Sequence, residues 1–471
     1  MRTGNELDEL RAIVGVDHAL AGDDAAELLV DFRQILHGTA LAAVRPADTA
    51  EVAAVVRWCA EHGVAVVTQG GNTGLSGGAT PVVDRPAIVL STRRLNEIED
   101  VDVAGWTMTV QAGTTIEAMQ EAAAARDRKF APDWGARGTA TIGGAIATNA
   151  GGLNVLRYGT MREQVMGLEV VLGDGRVWDG LRALRKDATG YDLTQLIVGS
   201  EGTLGIVTRA IVRLHAATPY EQTALATLAG LDLLMPLYSL VRERGADELT
   251  AFELMPTAGV ERVCERFGIE PPLDPAGAEF VVLIKLASTR PVDELLARCL
   301  ADAAGHEFVA DAVVASTPEQ EARLWTIRDE LSPTTLYPQQ SVAVKLDAAV
   351  PIDRIETLHR RVEAIAAEVA PDALVYDFGH VGDGNVHLYV LPADGDAVDD
   401  FAAIRPELTR RIDEVVVELG GTLSAEHGIG RALLDRIGPQ KPPVEWELMR
   451  AVKAALDPDD VLNPGALLPP S

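Results

Sequence analysis

Three runs of small residues constrain this chain more than any other feature: Gln69-Gly-Gly-Asn-Thr-Gly-Leu-Ser-Gly-Gly78, Thr141-Ile-Gly-Gly-Ala-Ile-Ala-Thr-Asn-Ala-Gly-Gly152 and Gly199-Ser-Glu-Gly-Thr-Leu-Gly-Ile-Val-Thr208. The first follows directly on Val64-Ala-Val-Val67, which reads as a buried strand. In such a loop successive backbone N–H groups can converge on an anion, and a pyrophosphate can approach closely because no Cβ stands in the way. Taken alone, a simple glycine-rich turn explains it equally well. The loop matches neither Gly-x-Gly-x-x-Gly nor the Walker lysine pattern, which argues against a Rossmann nicotinamide site and against an ATPase. Three such runs together are hard to explain as turns, and something bulky is expected to pack on their backbone.

A coarse pass gives the elements around them. Residues 1–40 read as helices, Ala50 to Glu61 as an amphipathic helix, Ile88 to Leu90 and Met108 to Val110 as strands, Thr114 to Arg126 as a helix, and Gly167 to Trp178 as a hairpin turning at Asp174-Gly175. From about 220 to 410 strands at 250–254, 280–286, 308–315 and 342–346 alternate with helices near 292–304, 317–331 and 351–369. That rhythm indicates a sheet covered by helices, an α+β class. A helix at 403–419 precedes a Glu426-His427 loop and a tail ending Leu462-Asn-Pro-Gly-Ala466. The expected divisions are 1–37, 38–217, 218–410 and 411–471.

In Asp377-Phe-Gly-His-Val-Gly-Asp-Gly-Asn-Val-His-Leu-Tyr389, Asp383-Gly384 is a strong signal for a two-residue type I′ hairpin. That turn sets His380 directly opposite His387 on one face, with Cβ atoms about 4.5–5.5 Å apart. With Glu426 from Ser424-Ala-Glu-His-Gly-Ile-Gly430, two histidines and a glutamate with an open position form a catalytic zinc arrangement. A hairpin with two cross-strand histidines and no metal fits the spacing equally well.

Composition removes other classes. With 471 residues the chain exceeds a usual single core, so two domains are expected. A formal charge of −29 repels phosphate backbones and argues against nucleic-acid binding. Cys59, Cys264 and Cys299 follow no Cys-x-x-Cys pattern, so neither a disulfide framework nor an iron–sulfur site is indicated, and a cytoplasmic location is expected. No apolar run approaches the roughly 18–20 residues that span a bilayer, and the first twenty residues do not read as a signal peptide.

Together with the glycine runs, Leu156-Arg-Tyr-Gly159, Leu184-Arg-Lys-Asp-Ala-Thr-Gly-Tyr-Asp-Leu193, Ala251-Phe-Glu-Leu-Met255 and Ser424-Ala-Glu-His427 resemble the flavin oxidoreductases of the vanillyl-alcohol oxidase type. The resemblance runs over roughly 38 to 467, and within that family is greatest to the D-2-hydroxyglutarate dehydrogenase group. It implies a two-part PCMH-type FAD-binding domain, an α+β substrate domain with an antiparallel sheet, and a C-terminal segment returning to the flavin. It implies FAD held by Gly70, Gly71, Asn72, Thr73, Gly74, Gly77, Gly78, Gly138, Thr141, Gly143, Gly144, Thr148, Asn149, Gly151, Glu201, Gly202, Gly205, Ile206 and Asn463. Members with covalent flavin attach it through His or Cys, and the 69–78 loop has neither, so the FAD is expected to be non-covalent.

Oxidising a 2-hydroxy acid needs a base for the hydroxyl proton and a hydride acceptor for the hydrogen on the same carbon, and flavin is such an acceptor. His427 is the candidate base, because an imidazole titrates near neutral pH. A divalent ion, expected to be zinc, on His380, His387 and Glu426 would act as Lewis acid on the substrate oxygen. Arg328 and Ser332, four apart on one helix face, and Lys345 suit a second carboxylate. The hydroxyglutarate group usually has Thr in place of Ser332, a lysine about two residues nearer, and commonly Asn in place of Tyr389. These departures touch the substrate pocket, so D-lactate or another D-2-hydroxy acid is the runner-up substrate. A catalytically silent flavoprotein subunit of a larger oxidase complex is the reading from another class. The electron acceptor stays open between electron-transfer flavoprotein, quinone and oxygen, and a homodimer is the default assembly.

Overall fold

The computed structural model describes residues 5–275, 277–337, 342–393 and 398–469. The chain divides into two compact units. The first takes in the residues up to Gly152, Tyr158–Ala216 and the residues from Glu426 onward, and the second takes in Leu153–Arg157 and Ala217–Ala425.

Among the described residues the first unit carries a four-stranded and a five-stranded sheet. In the former, Ala42–Val44 and Ala65–Gln69 both lie parallel to Ala87–Ser91. The helix Thr49–His62 covers it with Val52, Val55, Val56 and Cys59. Its start is a reciprocal cap: Asp48 accepts from Glu51 N at 2.8 Å, and the Glu51 carboxylate accepts from Ala47 N at 2.7 Å. It stops at Gly63, whose φ of 62° is the left-handed conformation glycine adopts without a Cβ penalty. The five-stranded sheet is antiparallel, in the order Ile98–Asp102, Thr107–Gln111, Ile206–Arg213, Val165–Val171, Val177–Gly180. Its hairpin turns at Asp174-Gly175 as the sequence indicates, and Ile116, Met119, Ile142 and Ile146 of two helices complete its core.

Helix does not fill residues 5–40. An α-helix at Glu6–Val14 is followed by short 3-10 segments at Val16–His18 and Gly22–Leu28 and a strand at Ala19–Leu20. Gly15 at φ 91° and Gly22 at φ 59° break the helical path. The Thr141–Gly152 run does contribute ordinary core: Ile142–Thr148 is a helix with Ile142, Ala145 and Ile146 buried.

The second unit is built on one seven-stranded antiparallel sheet among the described residues. Its order is Val309–Val314, Tyr220–Leu228, Phe280–Ser288, Leu249–Pro256, Leu374–His380, Asn385–Leu391, Val344–Ala349. Helices Thr257–Phe267 and Pro318–Asp329 help cover one face, around Val260, Leu324, Ile327, Tyr376 and Phe378. Helix Ile355–Val369 packs inward through Leu358, His359, Val362 and Ile365.

Candidate functional site

In the first unit, the 69–78 loop leaves the buried strand Ala65–Gln69 and is clamped from several sides. A Cβ on Gly70 would collide with the Thr141 hydroxyl, and one on Gly71 with the Thr139 carbonyl. Arg93 donates to the carbonyls of both, at 3.2 and 3.1 Å. Asn72, at φ 57°, donates to Val30 O at 2.9 Å, while Thr73 and Gly74 stand on the outer part of the loop. Thr148 donates to Gly144 O at 3.1 Å, and Asn149, left-handed at φ 51°, accepts from Thr160 Oγ1 and Arg162 N. Some expected flavin residues have packing duties instead: a Cβ on Gly143 would meet Ala112, one on Gly205 would meet Val170, and the Ile206 side chain lies in the core. Gly138 would meet only the Glu117 carboxylate, and Gly151 follows the Asn149 turn.

Glu201 joins the third glycine run to the C-terminal loop. Its backbone is left-handed at φ 50°, beside Gly202 at φ 71°, and its carboxylate accepts from Ile429 N at 2.7 Å and Gly430 N at 2.8 Å. Burial pushes the carboxyl above the ordinary glutamate value, against the pull of those two amides and of Arg431. Asn463 donates to Gly78 O at 3.0 Å and Glu201 O at 2.8 Å. Arg431, which the sequence reading passed over as one basic residue in a loop, reaches Gly77 O, Gly78 O, Pro464 O and Asn463 Oδ1. Its burial moves the guanidinium down to about 10, opposed by Glu201. The same loop sets His427: the Ser76 hydroxyl lies 2.9 Å from His427 O and 3.0 Å from Gly428 O, and Gly152 N donates to Glu426 at 2.8 Å.

Buried polar atoms here fit a bound polar group. The hydroxyls of Thr68, Thr141 and Ser200 and the Gln69 carbonyl oxygen are buried without a hydrogen-bond partner in the protein. Such atoms are costly unless a ligand or water meets them. Their grouping around the glycine loops fits FAD, whose pyrophosphate and ring edges offer matching donors and acceptors.

In the second unit, one face of the sheet collects most of the remaining candidates. The hairpin register differs from the sequence expectation: His387 faces Phe378, not His380, because the turn is a longer 3-10 segment, Val381–Asp383, closed by Gly384 at φ 84°. His380 faces Glu253 on the neighbouring strand. The two rings still meet, with centroids 5.6 Å apart at 79°. His380 Nδ1 lies 2.8 Å from Glu253 Oε1, and His387 Nδ1 lies 3.5 Å from Asp347 Oδ1. Lys345 faces Tyr389, which in turn faces Tyr376, so all of these share the face.

Arg328 reaches that face from its helix, but its Nε donates to Glu253 Oε2 at 3.0 Å and its Nη2 lies 3.1 Å from His380 Nε2. Ser332 follows one turn later and is half-buried. Burial alone would raise the Glu253 carboxyl, yet His380 and Arg328 hold it down to about 2. Glu253 is the residue the sequence reading missed here, although a charged side chain inside Ala251-Phe-Glu-Leu-Met255 is the signal that reveals it. A histidine whose Nδ1 faces a carboxylate is oriented as metal-binding histidines are. His380 and His387 share that orientation, and an ion held by both would have to take the place of the Arg328 Nη2 contact at His380 Nε2.

Comparison with known proteins agrees with the flavin part of this reading. Residues 40–180 match the FAD binding domain and residues 218–467 match the FAD linked oxidases, C-terminal domain. The chain belongs to the FAD-linked oxidases. It is 37% identical over 427 residues to D-2-hydroxyglutarate dehydrogenase of Xanthomonas citri pv. viticola, covering 91% of this chain and 89% of that protein. It is 36% identical over 468 residues to the mitochondrial D-2-hydroxyglutarate dehydrogenase of Bos taurus, covering 98% and 84%. Among solved structures, p-cresol methylhydroxylase with substrate bound has the same fold, with a TM-score of 0.74 at 16% identity over 98% of this chain and 97% of that one.

Proposed function

We propose that this chain is an FAD-dependent dehydrogenase that oxidises a D-2-hydroxy acid, with D-2-hydroxyglutarate favoured and 2-oxoglutarate as product. The observation that carries this is the likeness, over 91% and 98% of the chain, to two enzymes named for that substrate. When bound, FAD supplies the hydride acceptor, and a divalent ion, zinc by its donor set, supplies positive charge for the substrate oxygen. His380, His387 and Glu426 are the ligands we assign to that ion. Ser424 bridges Asp347, the carboxylate beside His387, Ala425 N donates to Asp347 O at 3.0 Å, and Glu426 is the next residue in the chain.

His427 takes the hydroxyl proton in this reading, held by a loop whose backbone Ser76 and Glu201 fix. Arg328, Ser332, Lys345 and Tyr389 meet the far end of the substrate. Glu253 offsets part of the Arg328 charge, and Lys345 adds a second cation for the far carboxylate. Electrons then leave to an external acceptor such as an electron-transfer flavoprotein or a quinone.

The test is anaerobic bleaching of the bound flavin by D-2-hydroxyglutarate, with L-2-hydroxyglutarate and D-lactate alongside. Bleaching by the D-dicarboxylate alone is expected. Bleaching by D-lactate instead would move the substrate to a monocarboxylate beside Tyr389, and no bleaching by any of the three would sink the reading in favour of a silent subunit.

A further inference from the structure

His359 lies on the helix Ile355–Val369, on the side that packs against the sheet, and the candidate site does not use it. The residue is 2% exposed and its Nδ1 is 2.9 Å from both carboxylate oxygens of Asp377. Asp377 alternates with Phe378 along the strand, so it projects from the sheet face opposite the one that carries His387. The other ring nitrogen, Nε2, is buried and makes no hydrogen bond. It points between two carboxylates: Glu279 Oε1 at 3.4 Å and Glu363 Oε2 at 3.5 Å.

These distances separate two readings. An imidazolium N–H bonded to a carboxylate stands about 2.7–3.2 Å from the oxygen, and both distances here are longer. Around a tetrahedral zinc, with metal–nitrogen near 2.0–2.1 Å and metal–oxygen near 2.0–2.2 Å, neighbouring ligand atoms are about 3.4 Å apart. The observed separations match that edge. All three donor atoms lie within 4.8 Å of one another. His359 and Glu363 are four apart on one helix face, and Asp377 supplies the carboxylate that orients a zinc-bound histidine. Glu279 and Glu363 are 49% and 39% exposed, which gives an ion access from solvent and leaves room for water as fourth ligand. Arg360 also pairs with Glu363, at 3.0 Å, and with Glu279, at 3.7 Å, but it is half-exposed and can swing away.

We propose that His359, Glu279 and Glu363 form a second zinc site, structural in kind, distinct from the one assigned to His380, His387 and Glu426. The ion would tie the helix, through Asp377, to the strand that carries His380.

The experiment uses the full FAD-bound chain carrying His387→Ala, which removes the first site, stripped of metal and dialysed against zinc chloride. One zinc per chain is expected by elemental analysis, with a zinc-dependent rise in Tm. Adding Glu279→Gln and Glu363→Gln should abolish both, while far-UV circular dichroism and flavin content stay unchanged. If the triple variant folds poorly, Glu363→Gln alone serves, and should weaken zinc binding at least tenfold. Absence of zinc from the His387→Ala chain, or zinc retained after both glutamates are replaced, overturns the proposal. Either result stands independently of the dehydrogenase reading, because zinc content is measured without turnover.

Discussion

Glu253 occupies a strand in which every residue from Leu249 to Pro256 is buried, and its carboxylate contacts two groups at once, Arg328 and His380. Removing one partner of a buried ion pair leaves the other charge uncompensated, which costs about 3–5 kcal/mol. Glu253→Gln is therefore expected to destabilise the protein by roughly 3 kcal/mol at neutral pH. The pH dependence has a definite sign. Since the folded carboxyl sits at about 2 and the unfolded one near 4.5, its stabilisation is complete above 4.5 and is lost as pH falls towards 2. Urea midpoints of wild type and variant should converge in acid; a gap that stays constant on acidification would mean that Glu253 acts by shape and not by charge. This residue also shows a limit of sequence reading. The lone acid in an apolar run is visible, but its partners lie 75 and 127 residues away, and which strand borders which is decided by long-range pairing.

Among the elements, the hairpin Leu374–His380/Asn385–Leu391 was legible in existence and in the face it presents, but not in register. Asp383-Gly384 permits a two-residue turn, whereas the chain makes a longer one and His387 pairs with Phe378, two residues before His380. A shift of two residues keeps every side chain on its own face, so both histidines stay together although neither faces the other. Gly384 closes this turn at φ 84°, and a Cβ there would strike the Val350 carbonyl. Gly420, at φ 78°, has no atom within 4 Å of such a Cβ. Comparing Gly384→Ala with Gly420→Ala thus separates the cost of a left-handed backbone, about 1–2 kcal/mol, from the added cost of the collision. The first should lose roughly 2 kcal/mol more by thermal unfolding and lower dehydrogenase turnover without lowering flavin content. Equal losses in both would show that the backbone at Val350 yields freely.

For the whole molecule, 70 acidic against 41 basic side chains give a formal charge of −29, while the proposed substrate is a dianion. A field of that sign slows the approach of an anion, and the effect scales with the charge of the anion. Salt shortens its reach, from about 30 Å at 0.01 M to about 10 Å at 0.1 M. The second-order rate of flavin bleaching by D-2-hydroxyglutarate should therefore rise by roughly two- to tenfold over that range, and by less for a monoanion such as D-lactate. The local cations, Lys345 and the Arg328 that Glu253 partly offsets, act in the opposite direction. Lys345→Ala should lower the rate for the dicarboxylate far more than for D-lactate, and should steepen the rise with salt because the attraction that opposes the overall field is gone. Stopped-flow bleaching at low and moderate ionic strength measures both. A rate that falls with salt in the wild type would mean that the site's own cations govern the encounter, and equal losses for the two substrates in Lys345→Ala would remove the lysine from the far carboxylate.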